Sequence, residues 1–355
     1  MNILFDISHP KEAYILKSIY KRLNKKYSII VIIRNVEIIK KILDSYQIPY
    51  NVLGDKSDSI IGKGINQIKF LVKTVSILKK NRIKVAIGAS ISISLARLVT
   101  EIKVITLDDD DDNVQPLFCR IAHPLSSFVL SPDCLIENRK TRNVVFYPSY
   151  HELSYLHRNN FKPDKAVLKE LGISEGEKFF VFRFNEFKAH HDINASGLSL
   201  ENKREVINLM LKFGKVFISS ERNIQEEFKQ YQIELANEKI HSLLYYATMF
   251  IGDSQTMTSE AAILGTPSIK LNTFAQKLSV PNQIEKKYKL CYSFKPQNFN
   301  EFIRKIEELL STPNLKIKWE NKLESLYEDK EDLSEILINI IDQYPYSFNV
   351  LNKFK

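Results

Sequence analysis

The chain has 355 residues, 44% of them hydrophobic, and a formal net charge of +9. This length and composition are enough to bury large cores and predict two domains. The positive charge predicts anionic partners. Its three cysteines, Cys119, Cys134 and Cys291, are scattered and indicate neither a disulfide framework nor a zinc site. No apolar run approaches the roughly 18 residues of a membrane-spanning helix, and no basic segment precedes a long apolar one at the start, so we expect a soluble, cytoplasmic protein.

The first part of the sequence alternates short apolar runs with amphipathic segments. Apolar runs predict strands that are covered on both faces, and the spacing of apolar residues between them is typical of helices. The predicted strands are 2–7, 28–33, 49–53, 84–88, 103–107 and 128–131, and the predicted helices are 12–25, 36–46, 64–80 and 90–99. This order predicts a parallel, doubly wound sheet.

A proline-containing segment at 146–151 predicts the connection to a second domain, where the alternation starts again. The strands predicted there are 178–184, 215–219, 246–251 and 268–271, and the helices are 201–213, 224–231, 241–247, 259–264, 300–311, 315–327 and 333–343. We predict an α/β protein of GT-B type, with two Rossmann-like domains whose parallel sheets face each other across a cleft. The predicted domains are 1–147 and 148–343, the second with a helical end able to cross back, and 344–355 form a tail.

The stretch IGDSQTMTSEAAILGTPSIKLN, residues 251–272, predicts a strand, a tight turn and a helix. The first N–H groups of such a helix have no acceptor within it and carry the positive end of its dipole, which makes an anion site. Ser254, Gln255 and Thr256 add side-chain donors. Glu260 lies close enough to accept a hydrogen bond from a ribose hydroxyl. The arrangement suits a nucleotide diphosphate; the alternative is an ordinary strand-to-helix corner with a polar cap and a solvated Glu260.

The string DSQTMTSEAAILGTP is similar to the sugar-nucleotide motif of the non-hydrolysing UDP-N-acetylglucosamine 2-epimerases, which reads Asp-Ser-Gly-Gly, three residues, Glu-Ala, and then Leu-Gly-x-Pro. The matching residues are Asp253, Ser254, Glu260, Ala261, Leu264, Gly265 and Pro267. Gln255 and Thr256 replace the two glycines, so we expect the backbone to approach the phosphates less closely. The resemblance implies a nucleotide-diphosphate sugar as ligand, with a UDP-sugar favoured.

Further strings resemble a poorly characterised prokaryotic family of glycosyltransferase-like proteins of unknown function, and this resemblance covers nearly the whole chain. The strings are FDISHP at the start, YPSYHELSYLH at 147–157, FRF around Arg183, AHHDI at 189–193, VFISSE at 216–221 and LLYYATMFIGD before the turn. The resemblance implies the GT-B fold. We expect a role in surface-glycan or polysaccharide biosynthesis, with a glycan or lipid-linked acceptor.

Polar groups follow two strands of the first domain. His9, directly after the first strand, could act as a general base toward an acceptor hydroxyl, because imidazole titrates near the operating pH; the alternative is a turn histidine. Asp108 and Asp109 begin an acidic run at another strand end and could serve as base or acceptor anchor, or as a solvated turn that caps a helix. The run has no defined ligand spacing, so we predict no metal site.

Two further residues and one short string of the second domain are candidates for binding. Arg183 ends an apolar strand and could bind a phosphate, or form a salt bridge. His241 starts the helix before the motif and could border the base or the sugar, or have no ligand. The string His-His-Asp at 190–192 invites a metal interpretation, but adjacent residues rarely bind one ion together.

The segment 60–84 is apolar on one face and carries lysines elsewhere. One interpretation is peripheral contact with the anionic inner face of a membrane, which suits a lipid-linked acceptor. The other is a crossover helix that packs on its own sheet.

Three function classes remain, and we rank an inverting glycosyltransferase first. In that hypothesis the second domain holds the nucleotide diphosphate and a base from the first domain deprotonates the acceptor. An epimerase on the same donor and a non-catalytic nucleotide-sugar-binding protein are the alternatives. GT-B enzymes that retain the configuration of the sugar often have a Glu-x7-Glu pattern, with one glutamate eight positions before the other. This chain has Gly252 eight positions before Glu260, so a retaining reaction is disfavoured. We expect no cofactor and no nucleic-acid partner.

Overall fold

The structure is a computed structural model that describes residues 1–55, 60–184, 197–220 and 224–347. The chain forms two compact units: unit 1 comprises Met1–Asn160 and Glu331–Lys355, and unit 2 comprises Phe161–Lys330. Unit 2 is thus inserted into the chain of unit 1. The domain boundary predicted at 147 lies inside unit 1, and the last predicted helix returns to that unit. Of the predicted tail, 348–355 lie outside the described residues.

The sheet of unit 1 has seven parallel strands in the order β3-β2-β1-β4-β5-β6-β7. The strands are β1 Asn2–Ile7, β2 Ser28–Ile33, β3 Asn51–Val52, β4 Val85–Gly88, β5 Lys103–Leu107, β6 Phe128–Pro132 and β7 Val144–Tyr147. The central strands β1 and β4 to β6 are almost entirely buried, as their unbroken apolar runs predict. Strand β7 overlaps the start of the segment 146–151 that we predicted as a connection.

The helices of unit 1 are α1 Pro10–Leu23, α2 Glu37–Ser45, α3 Ile60–Lys80, α4 Ile91–Ala96, α5 Pro116–Leu125 and α13 Leu333–Asp342. Right-handed crossovers place α3, α4 and α5 on the face of the sheet opposite α1 and α2. On the face under α3 and α4, Phe70 and Ile93 join Leu4, Ala86 and Val104 of the sheet in one buried cluster. Apolar burial of this kind is the main force that holds the helices on the sheet.

Helix α13 packs against α1 and ties the end of the described chain to unit 1. The hydroxyl of Tyr27 donates to Asp342 Oδ1 at 2.9 Å, and Ser149 Oγ donates to the carbonyl oxygen of Glu331 at 2.6 Å. Leu337 and Ile341 of α13 are buried. The apolar stripe of α1 is therefore covered by a segment far away in the sequence.

Unit 2 contains six parallel strands in the order β10-β9-β8-β11-β12-β13. The strands are β8 Phe179–Arg183, β9 Lys215–Ser219, β10 Gln232–Ile233, β11 Met249–Gly252, β12 Ser268–Leu271 and β13 Cys291–Phe294. The helices are α6 Ala166–Glu170, α7 Leu200–Leu211, α8 Ile240–Tyr246, α9 Gln255–Ile263, α10 Ser279–Lys286, α11 Phe299–Ser311 and α12 Leu315–Asp329. The predicted helix 224–231 is a 3₁₀ helix, Glu226–Tyr231, instead.

The register of unit 2 brings the ends of three strands together at one edge of its sheet. Gly252 lies opposite Arg183 on β8 and Lys270 on β12. A Cβ atom at position 252 would lie 2.2 Å from the carbonyl oxygen of Arg183, so the close approach of these strands requires glycine. Both sheets are parallel and helix-covered, which confirms the predicted α/β class. None of the described helices is both long enough and apolar enough to span a bilayer.

Candidate functional site

The turn between β11 and α9 presents the start of a helix at the carboxyl end of the sheet. Ser254 caps α9, since its Oγ accepts from the N–H of Met257 at 3.4 Å and its carbonyl oxygen accepts from Thr258 Oγ1 at 2.6 Å. The geometry of the helix leaves the N–H groups of Gln255 and Thr256 for another acceptor. Both residues are partly exposed. The helix therefore offers two donors and its positive dipole end to an anion.

Glu260 and His241 form a buried pair behind this turn. Nε2 of His241 lies 3.2 Å from Oε1 of Glu260, and each residue is 5% exposed. The two residues come from α8 and α9, which pack together. The sequence suggested each of them separately as a binding residue, and the structure brings them into contact.

A network that the sequence analysis missed surrounds Gln255. The amine of Lys270 donates to Gln255 Oε1, and Gln255 Nε2 donates to Asn272 Oδ1 at 3.4 Å. Asn272 Nδ2 donates to the carbonyl oxygen of Asp253 at 2.8 Å, which anchors the turn. Lys270 is only 1% exposed, and this burial lowers its pKa. A lone lysine within the apolar strand SIKL was the signal that could have found it.

Arg183 lies at the same edge of the sheet as the turn. Its carbonyl oxygen accepts from the N–H of Asp253 at 3.2 Å, and its Nη1 donates to the carbonyl oxygen of Ser219 at 3.4 Å. The guanidinium is partly buried. The backbone of Arg183 thus supports the turn, and its side chain reaches toward β9.

In unit 1, the carboxylate of Asp108 has two buried partners. Its Oδ2 lies 2.8 Å from Nε2 of His123 and accepts from Nη1 of Arg139 at 3.0 Å. Arg139 Nη1 also donates to Asp112 Oδ1 at 2.6 Å. Asp108 is therefore the centre of an internal ion-pair network that holds the acidic run, and its carboxylate is committed to that network.

Asp108, Cys119 and His123 have one potential ligand atom each within 4.8 Å of one another. The residues do not fit a metal ion, because the guanidinium of Arg139 already occupies the same carboxylate oxygen and would repel a cation. Burial also raises the pKa of Cys119 to about 12, which disfavours the thiolate that a metal needs.

The carboxylate of Asp109 contacts other residues than that of Asp108 does. Lys11 Nζ lies 2.5 Å from its Oδ2, and Nδ1 of His151 lies 3.1 Å from its Oδ1. Lys11 is also 3.6 Å from Oε1 of Glu152. Burial raises the pKa of Asp109, but the charges of His151 and Lys11 outweigh it and hold this pKa well below its usual range. Asp109 is thus an anchoring anion and a weak base.

Three polar atoms beside Asp109 are buried and have no hydrogen-bond partner among the described residues: Tyr147 Oη, His151 Nε2 and Glu152 Oε2. Burial raises the pKa of Glu152, against the charge of Lys11, and raises that of Tyr147 well above its usual value. We call Lys11, Asp109, Tyr147, His151 and Glu152 the strand-end cluster. Orphaned buried polar atoms are costly, so they mark a site that takes a further polar partner.

His9, the other predicted base, is exposed and caps α1. Its Nδ1 accepts from the N–H of Lys11 at 3.3 Å, and Glu12 accepts from the N–H of His9 at 3.0 Å. A base role would therefore have to use Nε2. The string at 190–192 lies outside the described residues.

Comparison with known proteins places the chain in one family. The profile of a family described as "Protein of unknown function (DUF354)" matches residues 1–344. An uncharacterised protein of Methanocaldococcus jannaschii, MJ0665, is 21% identical over 343 residues, which are 92% of this chain and 97% of that protein. This family corresponds to the glycosyltransferase-like family of unknown function that the sequence resembles.

Solved structures share the fold over nearly the full length. A UDP-GlcNAc 2-epimerase from Neisseria meningitidis bound to UDP-GlcNAc is 13% identical, covers 96% of this chain and 99% of its own, and gives a TM-score of 0.66. A glycosyltransferase from Rickettsia africae is 13% identical, covers 99% of this chain and 98% of its own, and gives a TM-score of 0.61. The predicted GT-B fold, with two Rossmann-like parallel sheets, is confirmed.

Proposed function

The chain belongs to the DUF354 family, whose function is unknown, and we propose that it is a GT-B-type glycosyltransferase that uses a nucleotide-diphosphate sugar, with a UDP-sugar favoured. The observation that carries this proposal is the partly exposed start of α9, which lies next to the buried pair of His241 and Glu260. The first feature suits a diphosphate and the second a ribose. Together they match the two chemical parts of a nucleoside diphosphate.

The diphosphate would accept from the N–H groups of Gln255 and Thr256, with Ser254 holding the turn. The buried amine of Lys270 adds positive charge directly behind Gln255. The carboxamide of Gln255 is held between Lys270 and Asn272, so its position is fixed before a ligand binds. Such preorganisation lowers the entropic cost of binding.

Glu260 would accept from a ribose hydroxyl, and His241 would orient its carboxylate. A carboxylate that is nearly buried is stable only with a partner, and the imidazole 3.2 Å away supplies one. Arg183 at the same sheet edge is the further candidate for a phosphate contact, which would require its side chain to leave Ser219. A guanidinium can bind two phosphate oxygens at once.

Proton transfer is assigned to unit 1. Asp108 is committed to His123 and Arg139, so we assign the role to the strand-end cluster around Asp109 and retain His9 at its border as a second candidate. Glu152 suits a base because burial raises its pKa toward the operating range, whereas Asp109 holds the charged partners in place.

Transfer with inversion of configuration fits the chain better than retention. Position 252 strongly favours glycine, because a Cβ atom there would lie 2.2 Å from the carbonyl oxygen of Arg183. A glutamate at this position, as in the Glu-x7-Glu pattern of retaining GT-B enzymes, would therefore not fit. The acceptor in this proposal is a glycan or a lipid-linked sugar of surface-polysaccharide biosynthesis, used on the cytoplasmic side.

The test combines ligand binding with turnover. UDP and UDP-sugars should raise the melting temperature of the full chain by mass action, whereas ADP and GDP should raise it less. A UDP-sugar alone should remain unchanged, and addition of a lipid or glycan acceptor fraction should release UDP. No thermal shift with any nucleotide or nucleotide sugar would overturn the nucleotide site itself.

A UDP-sugar 2-epimerase is the second candidate, favoured by one specific observation. The strand-end cluster holds several proton-carrying groups close together, and an epimerase needs acid and base groups on both faces of the sugar. Formation of an epimer without acceptor would establish this alternative. Tight binding with neither reaction would leave a nucleotide-sugar-binding protein without catalysis.

A further inference from the structure

Three neighbouring helical segments on one side of the unit 1 sheet expose large apolar side chains. Helix α4 packs against both α3 and α5, and a short 3₁₀ helix, Arg97–Val99, continues α4. The exposed residues are Ile65, Ile68 and Val72 on α3, Leu98 and Val99 after α4, and Leu117 on α5, each between 49% and 66% exposed. We call these six residues the apolar face.

The apolar face is separate from the packing of these helices on their sheet. Phe70, Thr74 and Leu78 form the buried side of α3. Ile65, Ile68 and Val72 follow the helical spacing of three and four residues on the other side, so α3 carries a second, outward stripe. Single exposed apolar residues are normal, but several of them on adjacent helical segments are typical of an interaction surface.

Within these helical segments the acidic and basic residues are unevenly represented. The sequences of α3, α4, the 3₁₀ helix and α5 contain no aspartate or glutamate. Five exposed basic residues of the described part of these segments accompany the apolar ones: Lys69, Lys73, Lys79 and Lys80 on α3, and Arg120 on α5. These helical segments thus combine exposed aliphatic side chains with positive charge and contain no carboxylate.

We propose that this face docks the protein on the surface of a bilayer that contains anionic lipids. Aliphatic residues would enter the boundary between headgroups and acyl chains while the lysines bind headgroup phosphates. A second copy of the chain fits worse, because two such faces would bring like charges together. Nucleic acid fits worse because phosphate binding leaves the aliphatic stripe uncovered. The docking face stands independently of the proposed transferase activity.

The test measures sedimentation of the full chain with vesicles of phosphatidylcholine alone and of phosphatidylcholine mixed with phosphatidylglycerol. Binding to the anionic vesicles should exceed binding to the neutral ones by about tenfold or more and should fall with added salt. The double variant Ile68→Ser, Val72→Ser should weaken binding by about tenfold, and Lys69→Gln, Lys79→Gln by a similar factor.

Matched controls come from elsewhere in unit 1. Ile136→Ser removes an exposed isoleucine, and Lys25→Gln removes an exposed lysine, both outside the three helices; neither should change vesicle binding. All variants should keep the melting temperature and the UDP affinity of the parent chain in solution, which separates this test from that of the proposed function. Equal binding to neutral vesicles, absence of binding, or unchanged binding of both double variants would each overturn the proposal.

Discussion

Nε2 of His241, on helix α8, lies 3.2 Å from Oε1 of Glu260, on helix α9, and both side chains are almost completely buried. The pair joins two helices that flank the proposed nucleotide site. An acid and a base in such a place serve either packing or ligand binding, and substitution separates the two roles.

Glu260→Gln should weaken UDP binding by about 1.5–3 kcal/mol, because a charged hydrogen bond to the ribose is lost. Isothermal titration calorimetry measures this change. Glu301→Gln, at an exposed glutamate in the first turn of α11, is the matched control and should bind UDP like the parent. If Glu260→Gln keeps full UDP affinity, the ribose assignment is wrong.

Lys270→Met should distinguish binding of the diphosphate from binding of the nucleoside. Loss of the buried positive charge should lower the affinity for UDP by about tenfold and leave the affinity for uridine unchanged. The same variant should be as stable as the parent or more stable at neutral pH, because burial of the ammonium is costly.

The pH dependence of Lys270→Met follows from the sign of the shift. Burial lowers the pKa of Lys270 in the folded state below its usual 10.5. The buried ammonium therefore destabilises the protein fully at pH values below the folded-state pKa, and this destabilisation disappears above pH 10.5. The stability gain of Lys270→Met should therefore shrink as the pH rises toward 10.5. Chemical denaturation across alkaline pH measures it, and a gain that grows with pH would contradict this explanation.

Asp109→Asn should destabilise the protein by about 3 kcal/mol at neutral pH, because it leaves Lys11 and His151 without their shared anion. The folded-state pKa of Asp109 lies below 3.8, so its stabilisation is present above 3.8 and is lost as the pH falls through the folded value. The gap between variant and parent should narrow in that acid window. Asp44→Asn, at an exposed carboxylate of α2, should show only a small effect.

Gly252→Ala should destabilise the protein by about 1–3 kcal/mol, because the new methyl group would overlap a carbonyl oxygen in the sheet. It should also weaken UDP binding by displacing the turn that follows. Gly64→Ala is the control: nothing lies within 4 Å of a Cβ atom there, and alanine suits a helix better than glycine. Equal melting temperatures for the two variants would refute the steric argument at Gly252.

Most of the fold was predictable because parallel strands buried on both faces leave long apolar runs in the sequence. The predicted strands 2–7, 28–33 and 103–107 have the observed bounds. Elements without such a signal were missed. Strand β13 has four residues and includes the buried Ser293, and helix α10 has a proline near its start. The local sequence pattern did not predict these two elements, because contacts with neighbouring elements determine their conformation.

The start of α9 was predictable for the same reason, since its strand, turn and helix are contiguous. The partners around it were not. Glu260 and His241 belong to different helices, and the strand-end cluster unites three distant segments through Lys11, Asp109 and His151. No local spacing encodes such contacts. They depend on the order of strands in the sheet, which brings separate carboxyl ends to one edge.

The return of α13 to unit 1 has a consequence for synthesis on the ribosome. Residues 161–330, which make up unit 2, emerge before Leu333–Asp342, the helix that covers α1. Unit 1 therefore cannot complete its core before unit 2 has been synthesised, unlike an N-terminal domain that is continuous in the chain. Until Leu333–Asp342 is made, the apolar side of α1 lacks the helix that covers it. A chaperone that binds exposed apolar segments during translation would have its longest contact with α1.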